Sequence, residues 1–209
     1  SGVNLSDNTI VGASYNETGQ GKLIIDGVEY SAQSIVSSNE ELKKAIANGE
    51  NTLYLSPSGT DYDLNGLQAD GRKFVGVGKG VRMANTTKYA SGKATGAIWR
   101  AITLENMTVT NTVYTMAEGG NAAFTGVTFE KGVRQAYGSG VIFTNCQFGS
   151  NDDGYALHFQ TDSASEGGVI TLDGCKFLGG KVHLGGKRSY TFSGCDFKAG
   201  TDFQVWSDI

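Results

Sequence analysis

One six-residue phrase is written five times in this chain. It reads LENMTV at Leu104–Val109, FTGVTF at Phe124–Phe129, FTNCQF at Phe143–Phe148, LDGCKF at Leu172–Phe177 and FSGCDF at Phe192–Phe197. Its first positions are spaced 20, 19, 29 and 20 residues apart, and a shorter echo, FVGV, begins at Phe74, 30 residues before Leu104. Aligned, the phrase is apolar, any, Gly or Asn, small apolar, any, apolar. A period near 20 built from strand-forming residues is the mark of a solenoid, in which each repeat buries its apolar face against its neighbours. Leucine-rich repeats share the period, but their L-x-x-L-x-L pattern is missing and no helix recurs within each repeat.

The pattern predicts an all-β fold, a single-stranded parallel β-helix with one coil per repeat, stacked at about 4.8 Å. Two short strands meet at a bend. Positions one, four and six point inward, and position three sits at the bend. Gly, and Asn after it, tolerate the left-handed backbone that a sharp bend demands. Stacking like on like turns the interior into ladders of Phe, Leu and Cys. The longer spacings are insertions bulging from single coils, near Ala84–Thr95 and Ser163–Gly168. Composition agrees: 31 glycines and a single proline, Pro57, in 209 residues suit many tight turns.

The three cysteines, Cys146, Cys175 and Cys195, all fall in column four. Their odd number and their spacing of 29 and 20 residues fit neither a closed disulfide set nor a zinc motif. Parallel Cβ vectors converge poorly for a bridge, so buried free thiols acting as small hydrophobes are expected.

A solenoid must cover its ends. Within SSNEELKKAIANGE, residues 38–49 read as an N-terminal capping helix: Ser38 and Glu41 form a capping box, Leu42, Ala45 and Ile46 share one face, and Gly49 ends the helix in the left-handed region. Residues 1–37 are expected to form a separate segment, a cap or linker, with KLIIDGVEYS as a hairpin turning at Asp26-Gly27. The β-helix domain is expected over 38–209. The opening SGVNLSDN reads as a processed start, so a missing leader says nothing about location. At the other end an apparent strand around Phe203–Trp206 is followed by no cap. A longer solenoid, or self-association through this C-terminal coil, is expected to cover it.

The strand after each phrase also aligns: Val113-Tyr114-Thr115, Val133-Arg134-Gln135, Leu157-His158-Phe159, Val182-His183-Leu184, Phe203-Gln204-Val205. With first and third residues inward, the outward column is Tyr114, Arg134, His158, His183, Gln204, with Lys181 and Trp206 close in sequence. Aromatic faces stack on sugar rings, Arg and Lys bind carboxylates, and histidine shuttles protons. These seven residues are the candidate ligand-binding set, and His158, His183, Arg134 and Asp153 the catalytic candidates. The plainer alternative is that an outward strand face must carry something polar. In SNDDG, Asp152 and Asp153 can bind Ca2+ or act as acid and base, although N-D-D-G is also what a tight turn is made of. No other cofactor is indicated. GVGKG at Gly76–Gly80 lacks the ending of a phosphate loop and reads as a coil bend. Outward threonines are interrupted by charged residues, which argues against an ice-binding array.

The net charge of −4 and the absence of a basic run argue against a nucleic-acid or anionic-membrane partner. No apolar run approaches the roughly 18 residues of a membrane-spanning helix.

With SSNEELKKAIANGENTLYLSPSGTDYDLNG, then KFVGVGKGV, then the phrases, the chain resembles the right-handed parallel β-helix, or pectate-lyase-like, superfamily over residues 38–206. Asp61 intrudes into its P-x-G-T-Y-like turn. The resemblance implies the right-handed coil and a set of functions: pectate lyases, polygalacturonase-like hydrolases, phage tailspikes and surface adhesins. The lyase R-x-P-x-x-R and hydrolase G-H-G signatures are absent, and NDDG is similar to the hydrolase N-T-D-G without its further motifs. The repeated F-x-N/G-C-x-F looks most like bacterial surface and adhesin repeats. The expectation is therefore an extracellular bacterial or phage-related surface module that binds a glycan or host surface. The alternative is a polysaccharide lyase or glycoside hydrolase acting on an acidic polysaccharide.

Overall fold

The computed structural model describes residues 13–15, 21–25, 28–31, 35–84, 97–99, 101–116, 121–137, 140–159, 168–186 and 188–205. The expected insertions lie outside them, apart from Ala84 and Gly168 at their margins.

The repeated phrase folds as its columns predict. Its strands stack in parallel with Leu104 opposite Phe124, Phe124 opposite Phe143, Phe143 opposite Leu172, and Leu172 opposite Phe192. Phe74, from the short echo, lies opposite Leu104. The result is a parallel β-solenoid of about six turns. Each full coil has three strand segments. The first face runs from Ile35–Val36 through Thr52–Leu55 and Lys73–Gly76 to Ser189–Ser193; a second, past the bend, ends at Asp196–Phe197. The third is a six-stranded sheet from Ala97–Trp99 to Asp202–Val205.

The bend column is left-handed in all five repeats: Asn106 at φ 55°, Gly126 at 61°, Asn145 at 51°, Gly174 at 63° and Gly194 at 60°. Its choice between Asn and Gly has a steric cause. A Cβ built on Gly126 would sit 2.8 Å from the Asn106 Oδ1, and one on Gly174 would press on the Asn145 Oδ1. The amide of one coil fills the space over the next, so a glycine must follow each asparagine.

Columns one, four and six form one continuous core. Phe rings stack down it nearly parallel: Phe129 to Phe148 at 5.3 Å, Phe148 to Phe177 at 4.7 Å and Phe177 to Phe197 at 4.8 Å between centroids. The parallel register imposes this face-to-face geometry, and edge contacts such as Phe124 to Phe129 lock neighbouring columns together. The three cysteines are free. Each thiol donates to the column-one carbonyl of the preceding coil: Cys146 to Phe124, Cys175 to Phe143 and Cys195 to Leu172, at 3.4–3.5 Å.

The helix, α1, spans Asn39–Ala47. Ser38 accepts from the Glu41 backbone N–H at 3.1 Å, while the Glu41 carboxylate turns to Ser37, accepting from its N–H at 2.7 Å and its hydroxyl at 2.9 Å. The reciprocal half of the capping box thus falls one residue earlier than expected. Leu42 and Ile46 are buried in the solenoid core, and Gly49 has φ 79°. One solenoid strand precedes the helix: Ile35–Val36 pairs in parallel with Thr52–Leu55, so the ladder begins ahead of the boundary drawn at 38. The expected hairpin is present, Gly21–Ile25 against Val28–Ser31 with Ile25 opposite Val28, and Ala13–Tyr15 adds a third antiparallel strand. No helix among the described residues is long and apolar enough to cross a membrane.

Candidate functional site

The third face carries the candidate site. Its parallel register pairs Tyr114 with Arg134, Arg134 with His158, His158 with His183, and His183 with Gln204. These are the partners that the sequence alignment gave. The flanking Val133, Leu157, Phe159, Val182 and Leu184 point inward and are buried. Arg134, His158, His183 and Gln204 are half-buried on the outer side. They form a row along the solenoid axis: a guanidinium, two imidazoles and an amide. The Tyr114 strand position is described but its side chain is not, and Trp206 lies outside the described residues.

Lys181 joins the row through an aromatic that the alignment missed. A register shift between Tyr155 and Leu157 places Ala156 and Leu157 both inward, so Tyr155 emerges on the same side as His158. The Tyr155 ring stacks on the His158 imidazole at 4.1 Å with 12° between planes, and Lys181 Nζ lies 4.8 Å over the same ring. The His158 and His183 centroids are 4.9 Å apart. The signal in the sequence is the pair Ala156-Leu157, which breaks the inward–outward alternation.

The electrostatics follow from this packing. Burial first, then the neighbouring Arg134 and His183, push His158 from its ordinary value down to about 4. His183 is also lowered by burial, opposed by a hydrogen bond to Gln204. At neutral pH both imidazoles are therefore uncharged, and the positive charge of the row comes from Arg134 and Lys181. Such imidazoles accept hydrogen bonds or protons; as acids they act only under acidic conditions.

Asp152 and Asp153 lie on the turn just before the His158 strand. Asn151 organises their turn, its side chain accepting from the Asp153 N–H at 3.1 Å and the Tyr155 N–H at 2.9 Å. Asp152 is 92% exposed and pairs with Lys131 at 3.1 Å. The Asp153 side chain is exposed, and its carbonyl accepts from Lys181 Nζ at 3.4 Å. Ca2+ takes six to eight oxygens, and no group of three or more His, Cys, Asp or Glu suited to a metal occurs among the described residues. GVGKG is a turn with Gly78 and Gly80 at φ 82° and 87°.

No family model, no curated protein and no solved structure matches this chain.

Proposed function

We propose that this chain is an extracellular, surface-displayed module, bacterial or phage-related and akin to the pectate-lyase-like right-handed β-helices, that binds glycan along its third face. The observation that carries the proposal is the in-register row Arg134–His158–His183–Gln204 with Lys181 beside it. A polymer lying along the axis meets a new polar side chain at every coil. Arg134 and Lys181 supply cations for carboxylates or sulfates, while the neutral imidazoles and the Gln204 amide supply hydrogen bonds to hydroxyls. Tyr155 already holds an imidazole and an ammonium against its ring, so its part is to position Lys181 and His158.

A second reading, a lyase or hydrolase on an acidic polysaccharide, draws on one observation: His158 is held as a free base beside two cations. In that role His158 or His183 takes the proton, Arg134 or Lys181 holds the uronate, and Ca2+ enters only through Asp152 and Asp153.

The test is one panel of acidic and neutral polysaccharides, with and without Ca2+, read for binding, unsaturated-uronate absorbance and reducing ends. The proposal expects binding without product, weakened at least tenfold by Arg134→Ala with Lys181→Ala. Product that disappears in His158→Ala or His183→Ala moves the assignment to the enzyme. No binding to any glycan sinks both.

A further inference from the structure

We propose that His158 and His183 form a two-point chelate for a divalent late-transition-metal ion of the Cu2+ and Ni2+ class. The site uses the same face as the glycan reading but does not depend on it.

The register supplies the first argument. Two imidazoles occupy paired positions on adjacent parallel strands, so their backbones are fixed relative to each other by the ladder. Their centroids lie 4.9 Å apart with 60° between planes. A metal–nitrogen bond of about 2.0–2.1 Å plus the ring's own radius places the centroids of two neighbouring ligands roughly 4.5 to 5.3 Å apart for angles between square and tetrahedral. The observed spacing falls inside that interval, so one ion between the two rings needs no change in strand spacing.

Positioning supplies the second. Metal-bound histidines characteristically give their other N–H to an acceptor that fixes ring and tautomer. His183 has that arrangement. Gln204 Nε2 donates to Asp202 Oδ2 at 2.9 Å, which leaves the Gln204 amide oxygen to accept from the His183 ring, the bond that opposes its lowered proton affinity. Asp202, Gln204 and His183 thus form a relay of carboxylate, amide and imidazole. His158 is held differently, by the Tyr155 ring packed flat on it.

Charge sets the strength. Arg134 and Lys181 oppose a second cation, while Asp153 favours one at His158. With two protein nitrogens and the remaining positions taken by water, affinity ranks Cu2+ above Ni2+ above Co2+.

The experiment is clean because these are the only two histidines in the chain. Ni2+ is titrated calorimetrically into protein free of any histidine tag, with no glycan present, and repeated on His158→Gln, His183→Gln and the double variant. Thermal melts establish that each variant is folded. The expected result is one ion per chain, at least a tenfold loss for each single variant, and tighter binding in Arg134→Gln as a repelling charge is removed. Ni2+ binding that is equal in the wild type and the folded double variant overturns the proposal by moving the ion to the cysteines or carboxylates, which all variants share. No binding by the wild type below millimolar Ni2+ also overturns it. Neither result touches the glycan reading, which is tested in chelator without metal.

Discussion

The coils of Phe124–Phe148 and the coil of Phe192–Phe197 are written with the same phrase, yet they are buried to different degrees. Phe124, Phe129, Phe143 and Phe148 are fully buried. In the last described coil Phe192, Cys195 and Phe197 are only partly covered, and on its third face Phe203 is 47% and Val205 76% exposed. Sequence specifies the inward direction of a side chain in a solenoid; the neighbouring coil specifies whether that direction is dry. A residue's energetic weight is therefore set by its position along the stack more than by its identity, as expected for a quasi-one-dimensional fold.

Truncating the phenylalanine ladder tests this contrast with the largest effect. Phe148 is stacked between Phe129 and Phe177, so Phe148→Ala leaves a cavity that cannot drain to solvent and costs about 3–5 kcal/mol. In a chain of this length that lowers Tm by roughly 10 °C. Phe197→Ala removes a ring that is only partly buried and is expected to cost less than about half as much. Circular-dichroism melts of the two variants decide the matter. Equal shifts would mean that the last coil is as well covered as the middle ones.

The bend glycines sharpen the comparison at a single atom. Alanine at either Gly174 or Gly194 adopts a left-handed conformation at a cost of about 1–2 kcal/mol. At Gly174 the new methyl also meets the Asn145 amide, whereas at Gly194 the nearest atom is the Gly174 N at 4.0 Å. Gly174→Ala is therefore expected to lower the urea midpoint further than Gly194→Ala, and Gly194→Asn to be tolerated, continuing the alternation of Asn and Gly up the column. If Gly194→Asn destabilises as much as Gly174→Ala, the steric account of the column is wrong.

What could be read from the sequence follows the same division. The bend column, the inward columns and the register of the third face were legible because parallel stacking copies one residue's environment onto the next, and five copies average out local accidents. The row Arg134–His158–His183–Gln204 emerged from that copying alone. Tyr155 did not, because a bulge is an event in one strand: Ala156-Leu157 pushes two successive residues inward, and no other repeat carries the same pair. The capping helix was legible from Ser38, Leu42 and Ile46, but the partner of the Glu41 carboxylate was not, since Ser37 and Ser38 offer nearly the same group one residue apart. The first solenoid strand, Ile35–Val36, was missed because two residues are too short to show a period. The chemistry of the site is the least legible part, because the acid–base character of His158 depends on its burial and on Arg134 from another coil.

That acid–base character gives a pH prediction. The unfolded chain takes up a proton on His158 at the ordinary histidine value, whereas the folded chain resists until about pH 4. Between about pH 6.5 and pH 4 the unfolded state therefore binds more protons, and stability falls as pH falls through that window. His183, lowered by burial but opposed by Gln204, adds in the same direction. Urea unfolding at pH 4.5 and pH 7 is expected to show a smaller difference in His158→Gln than in the wild type. An unchanged difference would place the acid sensitivity in the carboxylates instead, among them Glu41, which is held below its ordinary value by its bonds to Ser37.

The smallest expected effect lies outside the core, where the contrast between coils should vanish. Lys131 and Asp152 meet at 3.1 Å across neighbouring coils, with 47% and 92% of their side chains exposed. Water already solvates both charges, and holding two flexible side chains in one geometry costs entropy, so the pair contributes about 0.5 kcal/mol or less. Lys131→Ala, Asp152→Ala and the double variant are expected to melt within about 2 °C of the wild type, with no measurable coupling in the double-mutant cycle. A coupling above about 1 kcal/mol would mean that the Asn151 turn is held from outside by Lys131. The position of Lys181, whose Nζ donates to Asp153 of that turn, would then depend on a surface ion pair as well as on the ladder.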